Sequence, residues 1–262
     1  MQDRTHARPA EVRLRFREGT WTRPTTGMCP GYVQANLVVL PAEAAAEFED
    51  LCRANPGPLP LIERTAPGDP RPRTAAPGAD LRTDLPRYRV YRHGRLVDEP
   101  TDVRDVWPED AVAFLLGCSF TAEARLRAAG VRLRHQELGR NVAMFVTSRP
   151  CTPAGRFHGP VVVSMRPIHR DQVETARRVT AELPLAHGAP MHIGDPSALG
   201  IADLARPDFG AAIEPEPDEI PVFWACGVTP QAVIAASSPP LAITHAPGHM
   251  FLTDLPDDHT EL

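Results

Sequence analysis

The chain has 262 residues, of which 42% are hydrophobic and 23% charged, ordinary globular usage with enough length for a sizeable core. The formal charge of -5 argues against general nucleic-acid binding, and the longest apolar run, 111–118, is far short of the ~18 residues of a membrane helix. Every basic residue is an arginine, which excludes Schiff-base lysine chemistry and an ordinary Walker-A nucleotide site.

Residues 1–8 are polar and read as a frayed tail without the apolar segment of a secretory leader, so the cytoplasm is the expected compartment. Val12, Leu14 and Phe16 alternate as in a strand, whereas Pro9 suits a helix start; both readings stay open here. The apolar run 32–39 predicts a buried strand. Pro41 opens a helix with Ala44, Phe48, Leu51 and Cys52 on one face, stopped at Asn55-Pro56. The Pro- and Gly-rich stretch 56–77 predicts an ordered loop with a short strand near 59–63. His93-Gly94, between 87–92 and 95–97, signals a hairpin. Helices are expected over 108–118 and 121–129, the second closed by Gly130. Strands are expected over 142–147 and 160–165, and a helix over 171–183. Short strands at 222–225 and 241–244 then alternate with short helices at 197–204 and 230–236. This mixture predicts the α/β class: a large mixed β-sheet domain with helices, from 1–108 and 187–262, plus a smaller inserted two-layer α+β domain over 109–186.

Charge is uneven: residues 1–149 hold 22 Arg against 19 acids, and 150–262 hold 6 Arg against 14 acids, so anion binding requires a local Arg cluster. Cys29, Cys52, Cys118, Cys151 and Cys226 are odd in number and never paired as C-x-x-C, unlike a zinc ribbon or a disulfide framework.

Six segments carry candidate chemistry. Around Arg82 and Asp84, an Arg fork suits a bidentate carboxylate, or ties down its own loop through an Arg–Asp pair. Cys118-Ser119, at a predicted helix junction, offers either an activated thiol with an anion site or a small buried Cys with a Ser cap. Arg140-Asn141 just before one strand, and Arg166-Pro167 at the end of another, suit a rim for a substrate carboxylate or pairing with the acidic C-terminal part. His187 and His192 lie in a Gly/Pro-stiffened loop with Asp195, fit for proton transfer and without regular metal spacing. Cys226-Gly227 followed by Thr229-Pro230 reads as a strand, a Gly turn and a capped helix, the place where α/β folds hold ligands. His245 and His249 flank Pro247-Gly248, so they are not a helical zinc pair.

At these segments the sequence resembles a known family, the bacterial hydro-lyases also called the D-glutamate cyclase family. The matching strings are 31–37, 82–91, Gly117-Cys118-Ser119-Phe120, 163–167, 187–196, Pro207-Asp208-Phe209-Gly210, 221–231 and 243–249. The resemblance implies a large sheet with a smaller inserted domain, and water elimination in which D-glutamate closes to 5-oxo-D-proline. The chain departs from the family pattern at Ala143, Phe145 and Val146, where Pro, Tyr and Arg are implied. It departs again at Thr121-Ala122, where a second Ser-Phe is implied, and at Cys29, where a small apolar residue is implied.

The expected activity is a hydro-lyase or cyclase acting on a small amino or carboxylic acid. Arg82, Arg140 and Arg166 would clamp carboxylates, with Asp84, Ser119, Asn141, Cys226, Gly227 and Thr229 completing the substrate site. His187 or His192 would be general base and His245 or His249 general acid. The sequence points to no particular cofactor, and a divalent metal would assist by polarising the carboxyl oxygen. The expected partner is a small-molecule acid, with no nucleic acid and no membrane; a homo-oligomer is compatible. Two alternatives remain: a non-catalytic small-acid binding or partner protein, and a thiol enzyme using Cys118.

Overall fold

The computed structural model describes residues 7–258. In chain order its main elements are α1 (Pro9–Arg17), β1 (Tyr32–Leu40), α2 (Ala42–Ala54), β2 (Leu61–Arg64), β3 (Tyr88–Arg92), β4 (Arg95–Asp98), β5 (Val112–Gly117), α3 (Glu123–Ala128) and α4 (Arg134–Glu137). There follow β6 (Ala143–Pro150), β7 (Pro160–His169), α5 (Val173–Ala181), β8 (His192–Ile193), β9 (Glu219–Ala225), α6 (Thr229–Ser237), β10 (Leu241–His245) and β11 (Phe251–Pro256). None of the described helices is long and apolar enough to cross a membrane.

The first ambiguity resolves as a helix. Pro9 starts α1, and Val12 and Phe16, four residues apart, turn inward with Leu14 exposed. Buried Arg13 fastens α1 to β11 through the Leu252 carbonyl (2.7 Å) and a bidentate pair with Asp254. Ala7, expected in the tail, packs on this cluster; the remainder of the expected tail, residues 1–6, lies outside the described residues.

The helix expected over 108–118 is instead strand β5. Val112–Gly117 is wedged between β1 and β2 and buried at every position. Phe114 and Leu116 face one side, Ala113 and Leu115 the other. A strand apolar on both faces loses its period-two signature and reads like a buried helix. The helix expected over 197–204 shrinks to a 3₁₀ turn, Pro196–Leu199, closed by Gly200 at φ 75°.

The fold is α/β, with a large sheet in the order β2-β5-β1-β10-β3-β4 to which β11 adds on β1, and a smaller sheet β6-β7-β9-β8. The strand pairings are antiparallel. The division between the sheets does not follow the expected limits at 109 and 186. β5 belongs to the large sheet, while β8 and β9 complete the small one.

The main core lies between the facing sheets, closed by α2 and α6, with Phe48 edge-on to Phe114 (5.0 Å) and Phe157 (5.3 Å). The far side of the large sheet is covered by the 75–85 loop, and that of the small sheet by α3 and α5. Gly117, at the end of β5, touches the 184–187 turn: a Cβ there would stand 1.8 Å from the Leu185 carbonyl oxygen. Gly117→Ala is therefore expected to destabilise by about 3 kcal/mol, the upper end for overpacking. Gly57→Ala, with open space around its Cβ, should leave the thermal midpoint nearly unchanged; equal midpoints for the two variants would refute the contact.

Candidate active site

The sequence-selected residues fall into separate neighbourhoods. The first is buried under the small sheet. Arg166, on β7, is 2% exposed and lies with its guanidinium carbon 5.6 Å from the Trp224 ring centroid. Its Nη2 donates to Glu123 Oε1 (2.8 Å) and Ser119 Oγ (3.2 Å), and its Nη1 to Ser164 Oγ (3.2 Å). Glu123 opens α3 and also meets His135 Nε2 (2.8 Å), Gln136 and Thr26. Burial alone would raise the Glu123 pKa, but His135 and Arg166 hold it at about 2. Arg166 is thus the counter-ion of an internal carboxylate, not the free clamp expected for a substrate. Glu123 and His135 were not singled out from sequence, since a charged residue in a short helix ordinarily reads as a solvated one.

Beside this network lie Cys118 and Cys226, in an apolar cluster with Phe120, Met144 and Met250. Burial pushes the Cys226 thiol up to about 11 and the Cys118 thiol further still. Cys118 is therefore a neutral thiol that accepts from the Phe120 amide (3.5 Å), and of its two sequence readings, activated thiol or small buried Cys, its surroundings match the second. Gly227 packs against the Asn36 amide, where a Cβ would come within 1.8 Å. The Thr229 hydroxyl donates to the Cys226 carbonyl (2.7 Å) and accepts from the Val162 amide (3.1 Å). Cys226, Gly227 and Thr229 thus brace β7 against α6. All five cysteines are free and buried.

His187 and His245 are buried, and each has an Nε2 without a partner. His187 stands at φ 72°, with Nδ1 2.9 Å from the Gly57 carbonyl. Nδ1 of His245 lies 3.3 Å from both the amide nitrogen and the carbonyl oxygen of Leu37. Burial holds their pKa values at about 4 and about 3, so both imidazoles are neutral. Arg166 Nε is a third buried nitrogen without a partner. Native interiors keep few such groups.

An accessible cleft of about 500 Å³ opens where β3, the 246–250 loop and the approach to β6 meet. Arg87, Arg89, Asn141, Asp208, Phe209 and His249 are among its walls. Arg87 has no side-chain acceptor among the described residues. Arg89 pairs with Glu99 and lies 5.8 Å from the Phe209 ring centroid. His249 Nδ1 sits 3.0 Å from the Pro247 carbonyl, which places the proton on Nδ1 and leaves Nε2 as the basic nitrogen. Burial lowers the His249 pKa and Arg87 lowers it further, while backbone hydrogen bonds at Pro247, Thr22 and Ala246 oppose the shift without cancelling it. Asn141 braces the loop, with Nδ2 3.5 Å from the Pro247 carbonyl.

The remaining expected residues lie elsewhere. Arg82 forks onto Asp80, and Asp84 accepts from Arg17 Nε (2.8 Å) and Nη2 (2.7 Å), which anchors α1. Arg140 is exposed, with Nη1 on the Ala212 carbonyl (3.2 Å). His192 holds the Asp195 carbonyl (2.7 Å). The expected single cavity of Arg82, Arg140, Arg166 and four histidines does not form; Arg82 and Arg140 line no part of the cleft that Asn141 and His249 share. Arg87, Arg89 and Phe209 do line it. They sit inside the strings 82–91 and 207–210, and the spacing of the two arginines across Tyr88 was the available signal. Among the described residues no group of three or more His, Cys, Asp or Glu is placed to hold a metal ion.

Fold and site together define an α/β protein with two facing antiparallel sheets and a cleft in which arginines flank a neutral imidazole. The chain belongs to the D-glutamate cyclase family, whose model matches residues 112–254. It is 59% identical to a protein of Rubrobacter xylanophilus named "Putative hydro-lyase", over 97% of this chain and 98% of that one. Proteins of the same description from Streptomyces coelicolor (58%, covering 95% and 90%) and Bacillus licheniformis (54%, covering 96% and 96%) are also similar. A crystal structure of a nitrogen repressor-like protein from Methanococcus jannaschii aligns at a TM-score of 0.40 and 10% identity, over 97% of this chain and 99% of that one; this similarity carries no inference.

The buried histidines set an acid sensitivity. A pKa near 4 or 3 in the fold, against about 6.5 in the unfolded chain, means that the unfolded state binds more protons in between. Their contribution is present above pH 6.5 and is lost as pH falls toward 4 and 3; that of Glu123 is lost from 4.5 toward 2. Urea midpoints should fall steadily below pH 6.5, and His187→Gln should make the fall between 6.5 and 4 shallower. An unchanged slope would count against a buried neutral His187.

Proposed function

We propose that this protein is a hydro-lyase that removes water from a small amino or carboxylic acid, and that its reaction is the closure of D-glutamate to 5-oxo-D-proline. What carries the reading is the cleft itself, within a family of that description: Arg87 without an acceptor next to His249, whose Nε2 is basic.

Arg87 and Arg89 hold the carboxylates of the acid and reduce the negative charge on the one that reacts. The substrate amine attacks that carbon, a C–N bond forms, a C–O bond breaks, and the oxygen leaves as water. The ammonium loses two protons, and the departing oxygen needs two. His249 Nε2 carries them in turn, first as base and then as acid, so one imidazole balances the reaction. Asn141 keeps the His249 loop in place. The buried His245, near Arg89 and His249, stays neutral behind the cleft wall.

Purified protein incubated with D- and L-glutamate should yield 5-oxoproline, read by mass spectrometry and chiral chromatography. Arg87→Ala should raise KM by about tenfold or more, as loss of a charge-assisted contact does. His249→Ala should lower kcat by about 10²–10⁴. His249 must start unprotonated and its pKa is depressed, so kcat should rise with pH and level off below the ordinary histidine value of about 6.5. Ligand-induced thermal stabilisation by these acids without any product would replace this reading by a binding role.

A further inference from the structure

Gln231 takes no part in the chemistry above, yet it is 3% exposed and has both side-chain polar atoms committed. It stands in the first turn of α6 and faces the back of β3. Its Nε2 donates to the His245 carbonyl (2.8 Å). That bond fixes which way the amide lies, so Oε1 must face the other side. There it accepts from Arg89 Nη1 (3.2 Å) and from the Tyr91 hydroxyl (3.3 Å).

Arg89 is therefore held from three directions. Glu99 takes Nε, Gln231 takes Nη1, and the Phe209 ring lies against the guanidinium. Nη2 alone has no protein acceptor among the described residues, and it belongs to a residue of the cleft wall. A guanidinium fixed in this manner loses little rotamer freedom when an anion arrives. A neutral amide is also the right chemistry behind it. Glu99, itself in the cleft wall, already offsets part of the Arg89 charge; a second carboxylate in the place of Gln231 would outweigh it and compete with an incoming acid, whereas an apolar side chain would release Nη1.

We infer that Gln231 is a positioning and specificity-determining residue: it aims Arg89 Nη2 at one carboxylate of a dicarboxylic acid, while Arg87 supplies the second cation. The inference rests on the cleft assignment under the proposed function but not on turnover, so its test uses glutarate, a dicarboxylate with no amine to cyclise. Calorimetry on the full-length protein should show glutarate binding. Gln231→Met should weaken it about tenfold, the equivalent of roughly 1.4 kcal/mol. Gln231→Glu, which keeps the shape, should weaken it more. In the Arg89→Gln background Gln231→Met should cost nothing further, because its effect passes through Arg89. With glutamate as substrate, any turnover should show the defect in KM and not in kcat. Wild-type protein that fails to bind glutarate, unchanged affinity in Gln231→Glu, or additive losses in the double variant would each overturn the inference. Glutarate binding with these losses but no 5-oxoproline would leave it standing and remove the lyase reading instead. If Gln231→Met does not fold, the isosteric Gln231→Glu decides.

Discussion

The cleft depends on how β1 divides one of its edges. Along residues 35–40 its other edge is fully paired with β5. The divided edge pairs with β10 only at Val38 and Val39, and with β11 at Tyr32, Gln34 and Ala35. β10 and β11 run in the same direction, so the chain must leave the sheet after His245 and rejoin at Phe251. Backbone groups stripped of ladder partners need others. At the gap the His245 imidazole meets the Leu37 backbone instead. The excursion it permits, 246–250, carries His249 and forms one wall of the cleft. Gly248 is pressed against Asn141, which couples that wall to the entry of the small sheet.

Much of the strand content was legible because β1, β7 and β10 are apolar runs between clear breakers and the His93-Gly94 turn marks β3. β5 was not, since burial on both faces erases the alternation that separates strand from helix. Assignment of elements to sheets was not legible either. β5 and β9 pair across long sequence separations, and nothing local in Val112–Gly117 shows that its neighbours are residues 35–40 and 61–64.

The site was legible by segment and not by residue. The strings 82–91, 207–210, 221–231 and 243–249 all reach the cleft or its backing, but the arginine chosen from the first was Arg82, where Arg87 and Arg89 are the ones that arrive. Arg82 has Asp80 two residues away, and a local fork of that kind satisfies the guanidinium before any distant group can. His249 and Asn141, both expected in the site, line the same cleft. Arg166 was read at a strand end, but β7 runs on to His169, and its partner Glu123 comes from a helix that only the folded chain brings over it. A buried carboxylate held ionised by Arg166 and His135 costs much to desolvate, so the network ties the 117–123 turn to the small sheet at one geometry.

The five thiols share a fate that follows from where the chain buries them. None of Cys29, Cys52, Cys118, Cys151 or Cys226 is bonded to another, and each is held protonated by its apolar surroundings. Alkylating and oxidising reagents act on the exposed thiolate, so the intact molecule is inert to them. Each sulfur becomes a silent reporter of local opening: the order in which the five are modified reads out, site by site, which parts of the two-sheet body breathe first.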